Sequence, residues 1–231
     1  ILPKPGGQCS EIYPKKPIYD IPAYPEILAD DLIDKLMDQC SQFQPGFTLG
    51  ERAMTIDKQD DDSFLVITDK DTKHSARIVV IAGGLGSFEP RKPLIKNVDR
   101  FEGFGLEYFI KEPNLFRDKK VVIAGGGDSA LDWTIVLSEI ASEVTLIHRR
   151  SEFRGALDSV DKVQQLKNLN KINIITPAEV VSLNGKVNLE SITIKSSDNS
   201  EIDIQTDYFV PLFGLSPKLG PISNWGLEIE K

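Results

Sequence analysis

The sequence predicts an α/β fold with two Rossmann-like domains, each with three-layer ββα sandwich character. Three observations carry that expectation. Residues 121–147 run strand, glycine-rich turn, helix, strand, a βαβ unit that requires a parallel sheet. Residues 63–84 and 189–214 share an order of strand, polar turn, strand and a further apolar strand ending in glycine, which suggests two domains of like topology. A length of 231 residues accommodates one large domain or two small ones.

Composition excludes several classes. With 40% hydrophobic and 27% charged residues the chain is ordinary globular material, not disordered. No apolar run approaches the ~20 residues that a membrane-spanning helix needs. The balance of 27 Lys+Arg against 35 Asp+Glu leaves a charge of −8, which argues against nucleic acid as the main partner. Two cysteines, Cys9 and Cys40, are too few for a disulfide framework or a structural zinc site, and point to a reducing compartment such as the cytoplasm. The chain opens on Ile1 and stops at Lys231 just after an apolar stretch, so a piece of a longer protein is expected.

Residues 1–25, rich in proline and glycine, are expected to be extended. A helix is expected over 29–42, with Asp30 or Asp31 as N-cap and Leu32, Ile33, Leu36 and Met37 as a core-packing stripe. Strands are expected over 52–57, 63–68 and 76–82, with the acidic run Asp60-Asp61-Asp62 as a solvated hairpin turn. Residues 78–84 have the pattern of a buried strand running into a glycine turn. Pro90 and Pro93 prevent a helix from following, so this second glycine cluster is not a dinucleotide fingerprint. Residues 94–119, polar and punctuated by glycine, read as a linker and domain entry. Beyond the βαβ unit, strands are expected over 189–195, 201–206 and 208–213.

Gly125-Gly126-Gly127-Asp128-Ser129-Ala130 fits G-x-G-x-x-A, and it follows a predicted strand and opens a predicted helix. Gly125 permits the tight turn, Gly127 has no side chain to keep a pyrophosphate from the backbone, and Ala130 lets helix and strand approach. The phosphates would sit at the helix N-terminus, where free N–H groups and the dipole favour anions. A site for NAD places an acid at the end of the next strand, to hold the ribose 2′-hydroxyl. Here His148-Arg149-Arg150 stand there, with Arg154 following, and guanidinium groups suit a 2′-phosphate. The site reads as NADP over NAD. His148 by itself suits packing as well as ligation.

With these residues in hand, the chain resembles ferredoxin–NADP reductases of the thioredoxin-reductase-like type. The resemblance rests on Gly6-Gly7-Gln8 with Tyr13-Pro14 and Tyr19-Asp20, on residues 125–132, and on His148-Arg149-Arg150 with Phe153-Arg154. Leu219-Gly220-Pro221-Ile222 with Trp225-Gly226-Leu227 complete it. It implies a homodimeric flavoprotein that passes electrons from NADPH through FAD to ferredoxin or flavodoxin. It also implies a partial FAD-binding domain over 1–98, an NADPH-binding domain over 99–212, and a return to the FAD domain over 213–231. An FAD-binding strand with its own glycine fingerprint would lie upstream of Ile1, and a further FAD-contacting segment beyond Lys231. Gln8, Tyr13, Ala53 and Phe88 match family positions at the flavin. Tyr13 is the expected stacking ring, whereas Tyr19 is expected to pack. The resemblance further implies interdomain hinges near 98–103 and 213–214.

Two stretches depart from the family pattern: Gly155-Ala156-Leu157-Asp158 replaces an acidic-histidine run, and Leu215-Ser216-Pro217-Lys218 replaces small and apolar residues. Two rival functions remain. A thioredoxin reductase needs a Cys-x-x-Cys before the fingerprint, and residues 103–124 contain no cysteine. A non-catalytic NADP-sensing module would share the fingerprint and the arginines but has no use for the flavin-side set. No Ser-His-Asp or metal constellation is present, and no protein acid–base pair is expected, since the flavin carries the chemistry. An acidic carrier would dock on a local basic patch such as Lys15-Lys16, or Arg91-Lys92 with Lys96.

Overall fold

The structure is a computed structural model that describes residues 2–84, 89–216 and 219–228. The chain divides into two compact units, Ile1–Glu89 with Leu215–Lys231, and Pro90–Gly214.

The first unit opens with a short helix α1 (Gln8–Glu11) and a two-residue hairpin of β1 (Pro17–Ile18) and β2 (Ile27–Leu28). Helix α2 (Ala29–Ser41) follows, then β3 (Ala53–Lys58), β4 (Phe64–Thr68) and β5 (Lys73–Ala76) in an antiparallel meander. The acidic run is the β3–β4 turn. Asp62 takes a left-handed φ of 63°, and the Asp61 carboxylate accepts from the Ser63 N–H at 3.1 Å and its hydroxyl at 2.6 Å. These bonds hold the Asp61 carboxyl below the usual carboxylate range.

Several expectations fail in this unit. The N-cap of α2 is Leu28, while Asp30 and Asp31 lie inside the first turn, where their charge still complements the helix dipole. The apolar stripe is not core: Leu36 is 45% exposed, and Leu32, Ile33 and Met37 are half-buried. Tyr19, expected to pack, is 64% exposed. The expected strand over 76–82 does not form. Strand β5 ends at Ala76, and Ile78, Val80 and Ile81 are exposed. A strand needs a neighbour to complete its ladder, and none pairs with this segment among the described residues.

The second unit contains the parallel sheet. After the short strand β6 (Glu89–Pro90), the parallel strands are β7 (Lys120–Ala124), β8 (Glu143–Ile147) and β9 (Asn173–Ile175). A second meander, β10 (Ala178–Asn184), β11 (Ser191–Ser196) and β12 (Glu201–Gln205), precedes β13 (Tyr208–Pro211). The sheet order is β13-β7-β8-β9, with Val210 opposite Ile123, Ile123 opposite Leu146, and Leu146 opposite Ile174. Val121 to Ala124 are all buried, as a central parallel strand covered on both faces requires. Alternation sends Val122 and Ala124 into a core with Phe209, Leu183, Ile192 and Ile194 of the meander side. Val121 and Ile123 take the opposite face, that of helices α3 (Asp128–Leu137) and α4 (Leu157–Asn168). The βαβ pattern accounts for the parallel sheet and its helices, and the meander supplies the second β layer of the expected ββα sandwich.

The stretch 94–119 is no linker. Phe101, Leu106, Ile110 and Phe116 are buried, and the Phe116 ring meets Tyr208 edge-on at 4.9 Å. Glu107 N–H donates to the Phe209 carbonyl, and Phe209 N–H to that of Gly105, so this segment runs beside the outer edge of β13. Gly105 is needed at that contact, because a Cβ would stand 2.5 Å from that of Leu189 and 2.8 Å from the Asp207 carbonyl oxygen. Phe101 closes the 3-10 turn Val98–Phe101 inside the core, so the expected hinge at 98–103 belongs to the body of this unit. The chain passes between units at residues 89–90 and 214–215. The two ends of the second unit meet, since the Arg91 N–H donates to the Gly214 carbonyl at 3.0 Å.

The meander recurs in both units as the two like stretches predict, β3-β4-β5 and β10-β11-β12. The strand expected after it forms in the second unit, as β13, and not in the first.

Leu106 separates a packed segment from a linker. Leu106→Ala is expected to destabilise the unit by about 2–5 kcal/mol, read from urea unfolding, whereas a linker position would change stability by less than about 0.5 kcal/mol.

Candidate dinucleotide site

The glycine turn connects the C-terminal end of β7 to α3, and each glycine answers a different steric demand. At Gly125 a Cβ would lie 2.7 Å from the Leu212 carbonyl oxygen and 2.8 Å from the Ala130 Cβ, so helix, turn and the end of β13 close on one another there. At Gly126 a Cβ would run into the His148 ring. At Gly127 nothing lies within 4 Å, which leaves the backbone open to an approaching ligand. Gly127 is the N-cap of α3, and no side chain caps that helix. Ala130 is fully buried. An uncapped helix start beside open backbone suits an anion.

The next strand, β8, delivers His148 to the rear of this turn. His148 is only 8% exposed. Its ring stacks on Phe153 with centroids 5.5 Å apart, and its Nε2 lies 3.1 Å from the Glu152 carbonyl oxygen. Its backbone is fastened to β9 and β10 by the bonds from His148 N–H to Ile175 and from Ala178 N–H to His148. Burial, and then the neighbouring Arg150, Arg154 and Arg149 charges, push the imidazole below its ordinary range, against the opposing effect of the Glu152 carbonyl. The structure therefore makes His148 a neutral wall behind Gly126.

Arg149, Arg150 and Arg154 are all exposed on the turn that follows. That turn is tied to the glycine turn by the Arg154 N–H, which donates to the Gly126 carbonyl at 2.6 Å. Three guanidinium groups thus accompany an uncapped helix N-terminus in a chain whose overall charge is −8. The residues present fit a phosphorylated dinucleotide: an open glycine, a free helix start, and cations beyond the end of the second strand.

The flavin-side residues lie in the first unit. Gly6 and Gly7 have φ of 123° and 56°, and a Cβ at Gly6 would stand 2.7 Å from that of Ser10, so the two glycines bend the chain tightly into α1. Gln8 begins that helix. Tyr13 follows it, half-buried, with the Lys16 ammonium 5.7 Å from its ring centroid. Burial raises the Tyr13 hydroxyl above its ordinary value, with Cys9 adding to the shift. Ala53 opens β3 and is half-buried. Phe88 lies outside the described residues. Of the basic docking candidates, Lys92 spends its charge on Glu102 at 2.5 Å and Asp99 at 3.6 Å. Cys9 and Cys40 are both free thiols, and no helix among the described residues is long and apolar enough to cross a membrane.

Residues 5–231 match the model of the pyridine nucleotide-disulphide oxidoreductase family. The chain belongs to that family. It is 65% identical over 230 residues to a ferredoxin–NADP reductase of Flavobacterium johnsoniae, covering 100% of this chain and 65% of that protein. It is 65% identical over 232 residues to ferredoxin–NADP reductase 1 of Christiangramia forsetii, covering 100% of this chain and 66% of that protein. The chain thus spans somewhat less than two thirds of the length of these relatives. Among solved structures, thioredoxin reductase of T. acidophilum superposes with a TM-score of 0.84 at 22% identity, over 99% of this chain and 72% of that one, a likeness of fold. The family resemblance drawn from the motifs therefore holds.

Sequence reasoning missed two features of this family member's site. Gly126 occupies a variable place in the fingerprint, yet the His148 ring demands glycine there. Gly155, in a stretch that departs from the family pattern, packs against α3, where a Cβ would stand 2.5 Å from Leu131 Cδ1. Both signals depend on residues distant in sequence.

Gly126→Ala is expected to weaken binding of a nicotinamide dinucleotide at least about tenfold and to lower the melting temperature. Pairing it with His148→Ala should recover part of both losses in a double-mutant cycle. The His148 pKa is lower in the folded chain than in the unfolded one. Its contribution to stability is present above the unfolded value of about 6.5 and is lost as pH falls towards the folded value. The melting temperature is expected to fall as pH drops below about 6.5, with a shallower slope in His148→Gln.

Proposed function

We propose that this chain is the NADPH-binding unit, with part of the flavin-binding unit, of an FAD-dependent ferredoxin (or flavodoxin)–NADP reductase. The observation that carries the reading is the Arg149, Arg150 and Arg154 cluster, set beyond β8 beside a glycine turn whose helix start bears no side-chain cap. The Gly127 backbone and the N-terminus of α3 would receive the pyrophosphate, with Gly125, Gly126, Ser129 and Ala130 shaping the turn. Arg149, Arg150 and Arg154 would hold the 2′-phosphate, and neutral His148 would support the turn by shape. Gln8, Tyr13, Ala53 and Phe88 would border the flavin. Bound FAD supplies the exchange between a two-electron nucleotide and a one-electron carrier.

The names of relatives at 65% identity support ferredoxin as the partner. The lack of any cysteine over 103–124 speaks against the disulfide reductase reading, despite the shared fold. The flavin-side residues favour an enzyme over an NADP sensor. A cytoplasmic homodimer without nucleic-acid or membrane partners completes the proposal, supported by the two free thiols, the acidic charge and the family resemblance.

The test is Arg149→Ala combined with Arg150→Ala in the full-length protein. NADPH affinity is expected to fall about 10–100-fold while NADH affinity stays within about threefold. Equal losses for both nucleotides would overturn the 2′-phosphate assignment. Supplying ferredoxin, flavodoxin and thioredoxin as acceptors separates the enzyme classes, and efficient reduction of thioredoxin would overturn the proposed reaction.

A further inference from the structure

Asp128 stands at the first position of α3, an awkward place for an acid in a phosphate site. A carboxylate there competes with the phosphates for the free N–H groups and the positive end of the helix. The structure turns it elsewhere. Its Oδ1 accepts from the Ala156 N–H at 2.7 Å. Ala156 is the N-cap of α4 and has no side chain able to cap. One acid on α3 therefore satisfies an orphan donor at the start of a different helix, and leaves its own helix start open.

That bond is one of a series. Two residues earlier, the Arg154 N–H donates to the Gly126 carbonyl at 2.6 Å. Between the two lies Gly155, whose missing side chain admits the contact: a Cβ would stand 2.5 Å from Leu131 Cδ1 and 3.1 Å from Asp128 Oδ1. One turn further along both helices, the Ser159 hydroxyl donates to Asp132 Oδ1 at 3.1 Å. The segment carrying the three arginines is thus held at its far end by α3. Its near end is held by the buried His148.

We infer that Asp128 is a positioning residue, clamping the arginine turn to the glycine turn and so setting the preference for a 2′-phosphorylated dinucleotide. The inference rests on the proposed role of Arg149, Arg150 and Arg154. Exposed arginines on a free turn would lose backbone and side-chain freedom on meeting a phosphate, and the clamp removes part of that cost beforehand. The Gly155-Ala156 departure from the family pattern then has a use: Gly155 gives close approach and Ala156 provides the N–H that Asp128 takes.

The test measures NADP+ and NAD+ dissociation constants for the full-length protein by titration calorimetry, with amide exchange at residues 154–160 in the nucleotide-free protein. Asp128→Ala is expected to weaken NADP+ about tenfold and NAD+ less than about threefold, and to speed exchange at Ala156. Asp128→Asn, whose amide oxygen still accepts from Ala156, should stay within about threefold of the wild type. Tighter binding of both nucleotides by Asp128→Ala would identify a merely repulsive charge and overturn the inference, as would equal weakening of both. Should Asp128→Ala fail to fold, Gly155→Ala, which lifts the turn and keeps the acid, is expected to show the same selective loss of NADP+. Unchanged NADP+ affinity there overturns the inference. A full-length wild-type protein that binds NADP+ and NAD+ equally defeats the 2′-phosphate reading and this inference with it. Exchange at Ala156 that Asp128→Ala leaves unchanged defeats the clamp alone.

Discussion

The close approach of three backbone segments at the end of β7 governs the second unit. Gly125 admits the Leu212 carbonyl and Ala130, and Gly126 admits the His148 ring, so the ends of β13 and β8 and the start of α3 share one turn. Strand β7 is buried on both faces and leaves the sheet through Gly125-Gly126-Gly127, where the first two positions have no room for a side chain. Everything proposed for the site depends on that closure. The free start of α3, the depth of His148 and the place of the arginine turn all follow from how near these segments come.

Electrostatics then divides the labour locally, against the sign of the whole chain. An acidic molecule of charge −8 discourages a polyanion in general. At the glycine turn three exposed arginines and the free helix start add local positive charge. The acid within the fingerprint, Asp128, is bonded to the Ala156 N–H. Burial and the neighbouring arginines lower the His148 pKa, which favours the neutral ring behind Gly126. The fold places its cations in solvent and its neutral groups inside.

Much of this was legible in order along the chain. The βαβ unit, the glycine fingerprint, the Asp60–Asp62 turn and the two meanders depend on neighbouring residues, and local pattern reports them well. Where burial decides, the pattern misled. Residues 94–119 look polar on average, yet Phe101, Leu106, Ile110 and Phe116 are spaced to enter a core that lies far away in sequence. Residues 78–82 have the pattern of a buried strand, and Ile78 and Val80 are exposed in this chain, which spans about two thirds of its relatives' length. The α2 stripe failed in the same way.

By itself the sequence determined the class of the site, a glycine turn opening a helix with arginines after the next strand. It could do so because those requirements are met within about one βαβ unit of chain. Only the tertiary structure decided that Gly126 must be glycine, that His148 is a wall, and that Asp128 reaches Ala156. Each of these is a contact across some twenty to thirty residues, and only folding brings such partners together, so no local pattern encodes them.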